Sequence, residues 1–313
     1  MTHTDAPRTD RGGVPRLVVV CALLAALVLA LASTFAAGAE RPARDPAHAI
    51  APLDAAEAAS GGRAQGSGRV ADLISAGKIV VAVVNVDRYP FFYMDAKGNL
   101  AGSDIDLARG IAQELGVELM FNRTASTFDG VVDLVAKGEA DIGISKLSIT
   151  LPRAQRVRFT QPYIELGQGL LINRVALASA GLSHEKDVVE ALNRPGRRLG
   201  AVQGTSYVGF AHSIFPAAEL IEYRDKQAMF AAVLAGDVLA VLYDENEIKQ
   251  YIFERPDRLI EVKVQMLPKR TDPIAIAVTD PQLQYWLDTY LELKGVRLTV
   301  NELLTRYPRP ESR

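Results

Sequence analysis

Four short clusters hold most of the side chains with chemistry to offer: residues 85–93, 145–153, 203–206 and the pair Asp244-Glu245. Between them they supply a fixed cation, a carboxylate, several hydroxyls and aromatic rings, a set suited to recognising a small polar solute by hydrogen bonds and ion pairs. No nucleophile–base constellation is visible. Gly204-Thr205-Ser206-Tyr207-Val208-Gly209 misses the G-x-S-x-G spacing by one residue, and Ile144 stands where a P-loop opening at Gly138 needs lysine. The four histidines are His3, His48, His184 and His212, without the i, i+4 spacing that puts two imidazoles on one helical face. Cys21 is the sole cysteine, which excludes a disulfide framework and a cysteine zinc site. No metal, cofactor or catalytic residue is therefore expected. With 35 Lys+Arg against 37 Asp+Glu, the formal charge of -2 leaves no basic excess for a phosphate backbone, so nucleic acid is not an expected partner.

The elements that must position these clusters alternate between short apolar runs and helical periodicity, the pattern of an α/β fold. A strand is predicted over 79–84, followed by a helix opened by Ser103 as N-cap, with Asp106 three residues on and Ile105, Ala108, Ile111 and Leu115 along one face. A strand over 117–121, a helix over 128–137 ended by Gly138 and a strand over 140–144 complete this unit. About 100 residues later the order returns: strand 199–202, a helix after Thr205, strand 219–223, helix 226–235 ended by Gly236, and strand 238–243. Two α/β lobes with a cleft between them are implied. In open α/β sheets ligands bind beyond the carboxyl ends of the strands, which is where the four clusters fall.

Ahead of this body, Arg8, Arg11 and Arg16 precede sixteen apolar residues, 17–32, and Ala37-Gly38-Ala39 offers a small-x-small cleavage site before Glu40. Residues 1–39 read as an export signal; the alternative is a retained anchor, since 17–39 carries no charge and is long enough to span a bilayer. Residues 40–69, rich in Ala, Arg, Pro and Gly, read as a flexible linker.

From about residue 70 to 310 the chain resembles the extracytoplasmic solute-binding proteins of ABC transporters, in particular the polar-amino-acid group, family 3. The resemblance rests on Pro90-Phe91, on Gly98-Asn99-Leu100-Ala101-Gly102-Ser103-Asp104-Ile105-Asp106-Leu107, on Ser148-Ile149-Thr150 with Arg153, and on Phe159-Thr160-Gln161-Pro162-Tyr163. Val202-Gln203-Gly204-Thr205-Ser206, Tyr243-Asp244 and the closing helices over 286–307 extend it. It implies a two-lobed periplasmic-binding-protein-like fold of type II, with lobe one over 70–166 plus 274–313, lobe two over 172–265 and hinge strands between. It implies a monomer that takes an amino acid and passes it to a membrane permease. By the same resemblance Arg153 clamps the ligand carboxylate and Asp244 receives the ammonium. Ser148 and Thr150 contribute from lobe one, Thr205 and Ser206 from lobe two, and Phe128 packs on the aliphatic part.

Two departures bear on specificity. The segment 79–91 is one residue longer than usual, so either Arg88 or Tyr89 takes the place of a ring stacked on the ligand. Lys146 stands where a small polar residue is common; facing the cleft it would favour an acidic or polar ligand over a cationic one. Two other classes remain open: a dehydratase acting on prephenate-like acids, with Glu245 or Glu247 as general acid, and a membrane-held sensor retaining the 17–39 segment.

Overall fold

The computed structural model describes residues 67–181 and 185–308. The export-segment reading and all of the linker before residue 67 lie outside the described residues. The linker's last three residues belong instead to the folded body: Gln282 Nε2 donates to the Ser67 carbonyl at 3.0 Å, and helix α1 (Arg69–Ala76) begins at Arg69. No described helix is long and apolar enough to cross a membrane.

The chain continues through β1 (Lys78–Ala82), the short hairpin β2 (Tyr93–Met94) and β3 (Leu100–Ala101), α2 (Ser103–Leu115), β4 (Glu118–Asn122), α3 (Phe128–Ala136), β5 (Ile142–Gly143), α4 (Leu151–Ala154) and β6 (Arg158–Phe159). The long strand β7 (Ile164–Asn173) leads to α5 (Arg174–Ser179), α6 (Glu185–Leu192), β8 (Arg198–Val202), α7 (Ser206–Ile214), β9 (Glu219–Tyr223), α8 (Lys226–Ala235), β10 (Ala240–Asp244) and α9 (Glu245–Glu254). A second long strand, β11 (Val262–Ile274), returns to β12 (Ala277–Val278), α10 (Pro281–Leu293) and α11 (Val300–Arg306).

Two five-stranded sheets result, ordered β4-β1-β5-β12-β6 and β11-β7-β10-β8-β9. In each, the first three strands of the repeated unit run parallel, β1 with β4 and β5, β8 with β9 and β10. Their loops therefore leave from the same sheet edge, as the βαβ connection requires. Each sheet has its own apolar core. Ile164, Leu166 and Ile274 bury in the first, Leu170, Ile172, Val262 and Leu267 in the second, so β7 and β11 pass from one core to the other. The pair is antiparallel, and its register breaks between Met266 and Thr271, where residues 267–270 bulge opposite Gln168.

Local chemistry explains most element ends. Thr127 caps α3 by accepting from Gly130 N–H at 3.0 Å, and Asp225 caps α8 by accepting from Ala228 N–H at 2.8 Å. Gly138 and Gly236, at φ 73° and 80°, stop those helices in the left-handed conformation. The start of α2 departs from the sequence expectation. Its N-cap is Gly102 at φ 120°, no side chain caps it, and Ser103 lies inside the helix. The reason is steric: a Cβ on Gly102 would sit 2.3 Å from the Phe91 carbonyl oxygen, so only glycine lets α2 start against that segment.

Candidate functional site

The carboxyl ends of β1 and β5 in one lobe face those of β8 and β10 in the other across a cavity of about 20 Å³. Arg88, Phe128, Lys146, Ser148 and Arg153 line it from lobe one, Thr205, Ser206, Tyr207, Tyr243 and Asp244 from lobe two, and Asp272 from β11. That volume holds about one water, far below the roughly 300–1,000 Å³ of ligand pockets, so the lobes are shut upon each other.

What shuts them is polar. Lys146 has φ 48°, and its N–H donates to Asp104 Oδ2 at 2.7 Å, fixing the turn after β5. From that turn its ammonium crosses the cleft to Asp244 Oδ2 at 2.8 Å and Glu247 Oε1 at 3.5 Å, with the Phe91 ring centroid 5.1 Å away. Lys226 meets the other Glu247 oxygen at 2.6 Å, so two cations and two carboxylates balance. Burial alone would lower the Lys146 pKa, but the Asp244 and Glu247 carboxylates outweigh it and raise it. For Asp244 burial dominates over Lys146 and pushes the pKa up. For Glu247 burial is outweighed by Lys146 and Lys226, which bring it down to about 2. Asp244 also caps α9, its Oδ1 accepting from Glu247 N–H at 3.0 Å, so both of its oxygens are engaged.

Arg153 is 4% exposed. Thr150 caps the short helix that carries it, accepting from Arg153 N–H at 3.4 Å. The guanidinium donates through Nε to Asp129 Oδ1 at 2.9 Å and through Nη1 to the Ser148 carbonyl at 3.2 Å. The Asp129 side chain is 56% exposed, so this ion pair is largely solvent-screened. Beyond Arg153, Ser148 donates its hydroxyl to Asp272 Oδ2 at 2.9 Å and lies 2.8 Å from Ser206 Oγ in the other lobe. Because the one Ser148 proton goes to Asp272, Ser206 is the donor across the cleft.

The structure thus brings together Arg153, Asp244, Ser148, Thr205, Ser206, Phe128 and Lys146 on one wall-to-wall surface. Thr150 stands off it as a helix cap, and Thr205 gives its own hydroxyl to the Val202 carbonyl at 2.7 Å. Of the pair left open by the longer first loop, Arg88 lines the cavity, its guanidinium 5.8 Å from the Phe128 ring centroid. Tyr89 does not: its ring packs 5.0 Å from Tyr93, its hydroxyl donates to the Tyr307 carbonyl, and its own carbonyl accepts from Gln250 Nε2 at 2.7 Å. Asp104, which holds the Lys146 turn, is fully buried, and burial raises its pKa to about 7. Three wall residues were not singled out from the sequence: Tyr207, Tyr243 and Asp272. The tyrosines sit next to Ser206 and Asp244, a usable signal, whereas nothing in the strand pattern around Asp272 marks it.

Two α/β lobes on a pair of crossing strands, closed over a polar cleft at the strand ends, define the class of two-lobed solute-binding proteins. Over residues 80–294 the chain matches the profile of the bacterial extracellular solute-binding proteins, family 3, and it belongs to that family. It is 30% identical over 192 residues, 61% of this chain and 68% of the relative, to a "probable histidine-binding protein" of Neisseria gonorrhoeae. Among solved structures it is similar to an ancestral amino acid-binding protein described as a precursor of cyclohexadienyl dehydratase, with TM-score 0.59, 26% identity and coverage of 77% of this chain and 99% of that one. It is also similar to a binding component of an ABC transporter from Wolinella succinogenes complexed with lysine, with TM-score 0.60, 26% identity and coverage of 75% and 97%.

Proposed function

We propose that the protein binds an amino acid or close analogue between its lobes, outside the cytoplasmic membrane, and delivers it to the permease of an ABC transporter. Arg153 carries this reading. A buried guanidinium on the cleft wall, ion-paired among the described residues with a solvent-exposed aspartate, is a ready receptor for a ligand carboxylate, which would take the planar fork in place of water. The ammonium is left to the acidic side of the cleft, where Asp244 and Asp272 stand. The names of the relatives, which bind histidine or lysine, agree with a ligand of this class.

The protein acts by binding, as a monomer, without nucleic acid. The dehydratase reading needs a protonated Glu245 or Glu247 in the cleft. Glu247 is held as a carboxylate between Lys146 and Lys226, and Glu245 pairs with Lys249 and lines a separate crevice beside Arg297. Neither lines the cavity between the lobes.

Calorimetric titration of the full chain with the common L-amino acids tests the proposal. Arg153→Ala should lose about 2–5 kcal/mol of binding, roughly 30-fold to several thousand-fold in affinity, while still folding. No binding of any amino acid by the parent, or turnover of prephenate or arogenate, would replace this reading. Export is checked separately: mass spectrometry of the secreted or periplasmic protein should show a new N-terminus at Glu40, and an intact N-terminus in the membrane fraction would establish the anchor.

A further inference from the structure

We propose that Asp272, on the strand that passes between the lobes, receives the ammonium group of the ligand, and that Asp244 serves as the fixed partner of Lys146. This rests on the reading of the cleft as an amino-acid site and reassigns one of its two charge receptors.

Both Asp244 oxygens already have partners. Oδ2 is on the Lys146 ammonium and Oδ1 on the Glu247 N–H, and a ligand ammonium brought to it would meet the like charge of Lys146. Asp272 differs in its partners. It is 1% exposed, lines the cavity, and forms no ion pair with Lys or Arg among the described residues. Its Oδ2 accepts from Ser148, and its Oδ1 is buried with no hydrogen-bond partner. The Tyr207 hydroxyl, buried on the same wall, faces Asp272, whose charge and hydrogen bonding help burial raise the tyrosine's pKa. A buried carboxylate oxygen without a donor is costly, and a ligand ammonium supplies one.

The spacing fits an α-amino acid. Ser148 touches both receptors, its carbonyl accepting from Arg153 and its hydroxyl donating to Asp272, so a carboxylate and an ammonium on one carbon can meet them together. The charged and titratable groups facing Asp272 are Lys146 and Arg153 from lobe one and Asp244 and Tyr207 from lobe two. Burial, the largest influence, raises its pKa to about 7, against the Ser148 hydrogen bond and the two cations. A ligand ammonium favours the ionised form, so binding near neutral pH releases a proton.

The test is a cycle between ligand and side chain, run by calorimetry on the full chain at pH 8. Each common L-amino acid that binds is compared with its amine-free acid, as L-glutamate with glutarate. The parent should prefer the amino acid by about 30-fold or more, and Asp272→Asn should bring the two within about threefold by weakening the amino acid alone. Tyr207→Phe should narrow the preference several-fold. If Asp272→Asn does not fold, Tyr207→Phe and the parent's proton release at pH 7, read from the dependence of binding enthalpy on buffer ionisation, decide the matter. A folded Asp272→Asn that keeps the full preference, its loss in Asp244→Asn alone, or amino-acid binding by the parent without proton release would each overturn the assignment. A parent that binds no amino acid overturns the function first and the assignment with it.

Discussion

Lys146 and Asp244 lie in different lobes and meet across the cleft at 2.8 Å, each almost fully buried. A buried ion pair that loses one member leaves an uncompensated charge, worth about 3–5 kcal/mol where the surroundings are rigid. If the lobes part as the proposed function requires, opening returns Asp244 to water and relieves that cost. Lys146→Met should therefore open the protein more than it unfolds it. Small-angle scattering is expected to show a larger radius of gyration than the parent's, and the loss of unfolding free energy in denaturant should stay below that range. An unchanged radius with a full 3–5 kcal/mol loss would mean that the pair is a core contact and not a latch.

Two buried carboxyls set the pH dependence. Asp104 and Asp272 both have pKa values raised to about 7, with burial as the main cause, against about 4 in an unfolded chain. A raised acid holds its proton in the folded state over that window, so stability falls as pH rises from about 4 to 7 and levels off above it. Glu247, depressed to about 2, acts in the opposite sense and only below its ordinary range. Asp104→Asn keeps an oxygen for the Lys146 N–H and removes the titration. Between pH 5 and pH 8 the decline in unfolding free energy should shrink by about 2–3 kcal/mol in that variant, measured by denaturant titration at both values. An identical decline in parent and variant would show that Asp104 is ionised throughout.

Much of the architecture was legible because burial writes itself into apolar spacing. Helix Lys226–Ala235 and strand Glu219–Tyr223 run over the residues expected, since Asp225, Gly236 and the apolar stripe between them are local signals. The start of α2 was misread for an equally physical reason. Ser103 is a good N-cap by type, but the close approach of Phe91, a contact made through the fold, hands the position to Gly102. The direction of Lys146 was undecidable from sequence, as it follows from a left-handed turn fixed by Asp104 42 positions away. Asp272 gave no sign at all. It reaches Ser148 because β11 runs beside β7 with a bulge before it, and strand register of that kind has no period to read.

Gly102 itself carries a sharp expectation. At φ 120° any L side chain is strained, and the nearest atoms to a new Cβ are the Phe91 and Pro90 carbonyl groups, main-chain atoms that have no rotamer to change. Gly102→Ala should cost about 3 kcal/mol or more, by adding steric displacement to backbone strain. Gly98, also at positive φ but with open space where its Cβ would go, is the control: Gly98→Ala should cost about 1–2 kcal/mol, from the backbone alone. Thermal or denaturant unfolding of the two variants side by side measures the difference, and equal losses would remove the steric argument.

The charges left over on the wall foretell the ligand's side chain. Lys146 is matched by Asp244, Arg153 is assigned to the ligand carboxylate and Asp272 to its ammonium. Arg88 remains. Its guanidinium lies over Phe128, its Nη1 donates to the Asp87 carbonyl, and among the described residues it pairs with no carboxylate. A side chain ending in a cation would have to sit beside Arg88 and Lys146, whereas a carboxylate or carboxamide would give Arg88 the partner it lacks. L-glutamate and L-glutamine should therefore outcompete L-arginine and L-lysine, in contrast to the lysine-bound relative from Wolinella succinogenes. A charge-assisted hydrogen bond of about 1.5–3 kcal/mol translates into roughly 10- to 150-fold in affinity. Arg88→Ala should remove that margin for glutamate and leave the affinity for L-alanine, which has no side chain to reach it, within about threefold. Competition calorimetry on parent and variant reads both quantities. Tighter binding of arginine than of glutamate by the parent would show that Arg88 turns away when the cleft fills.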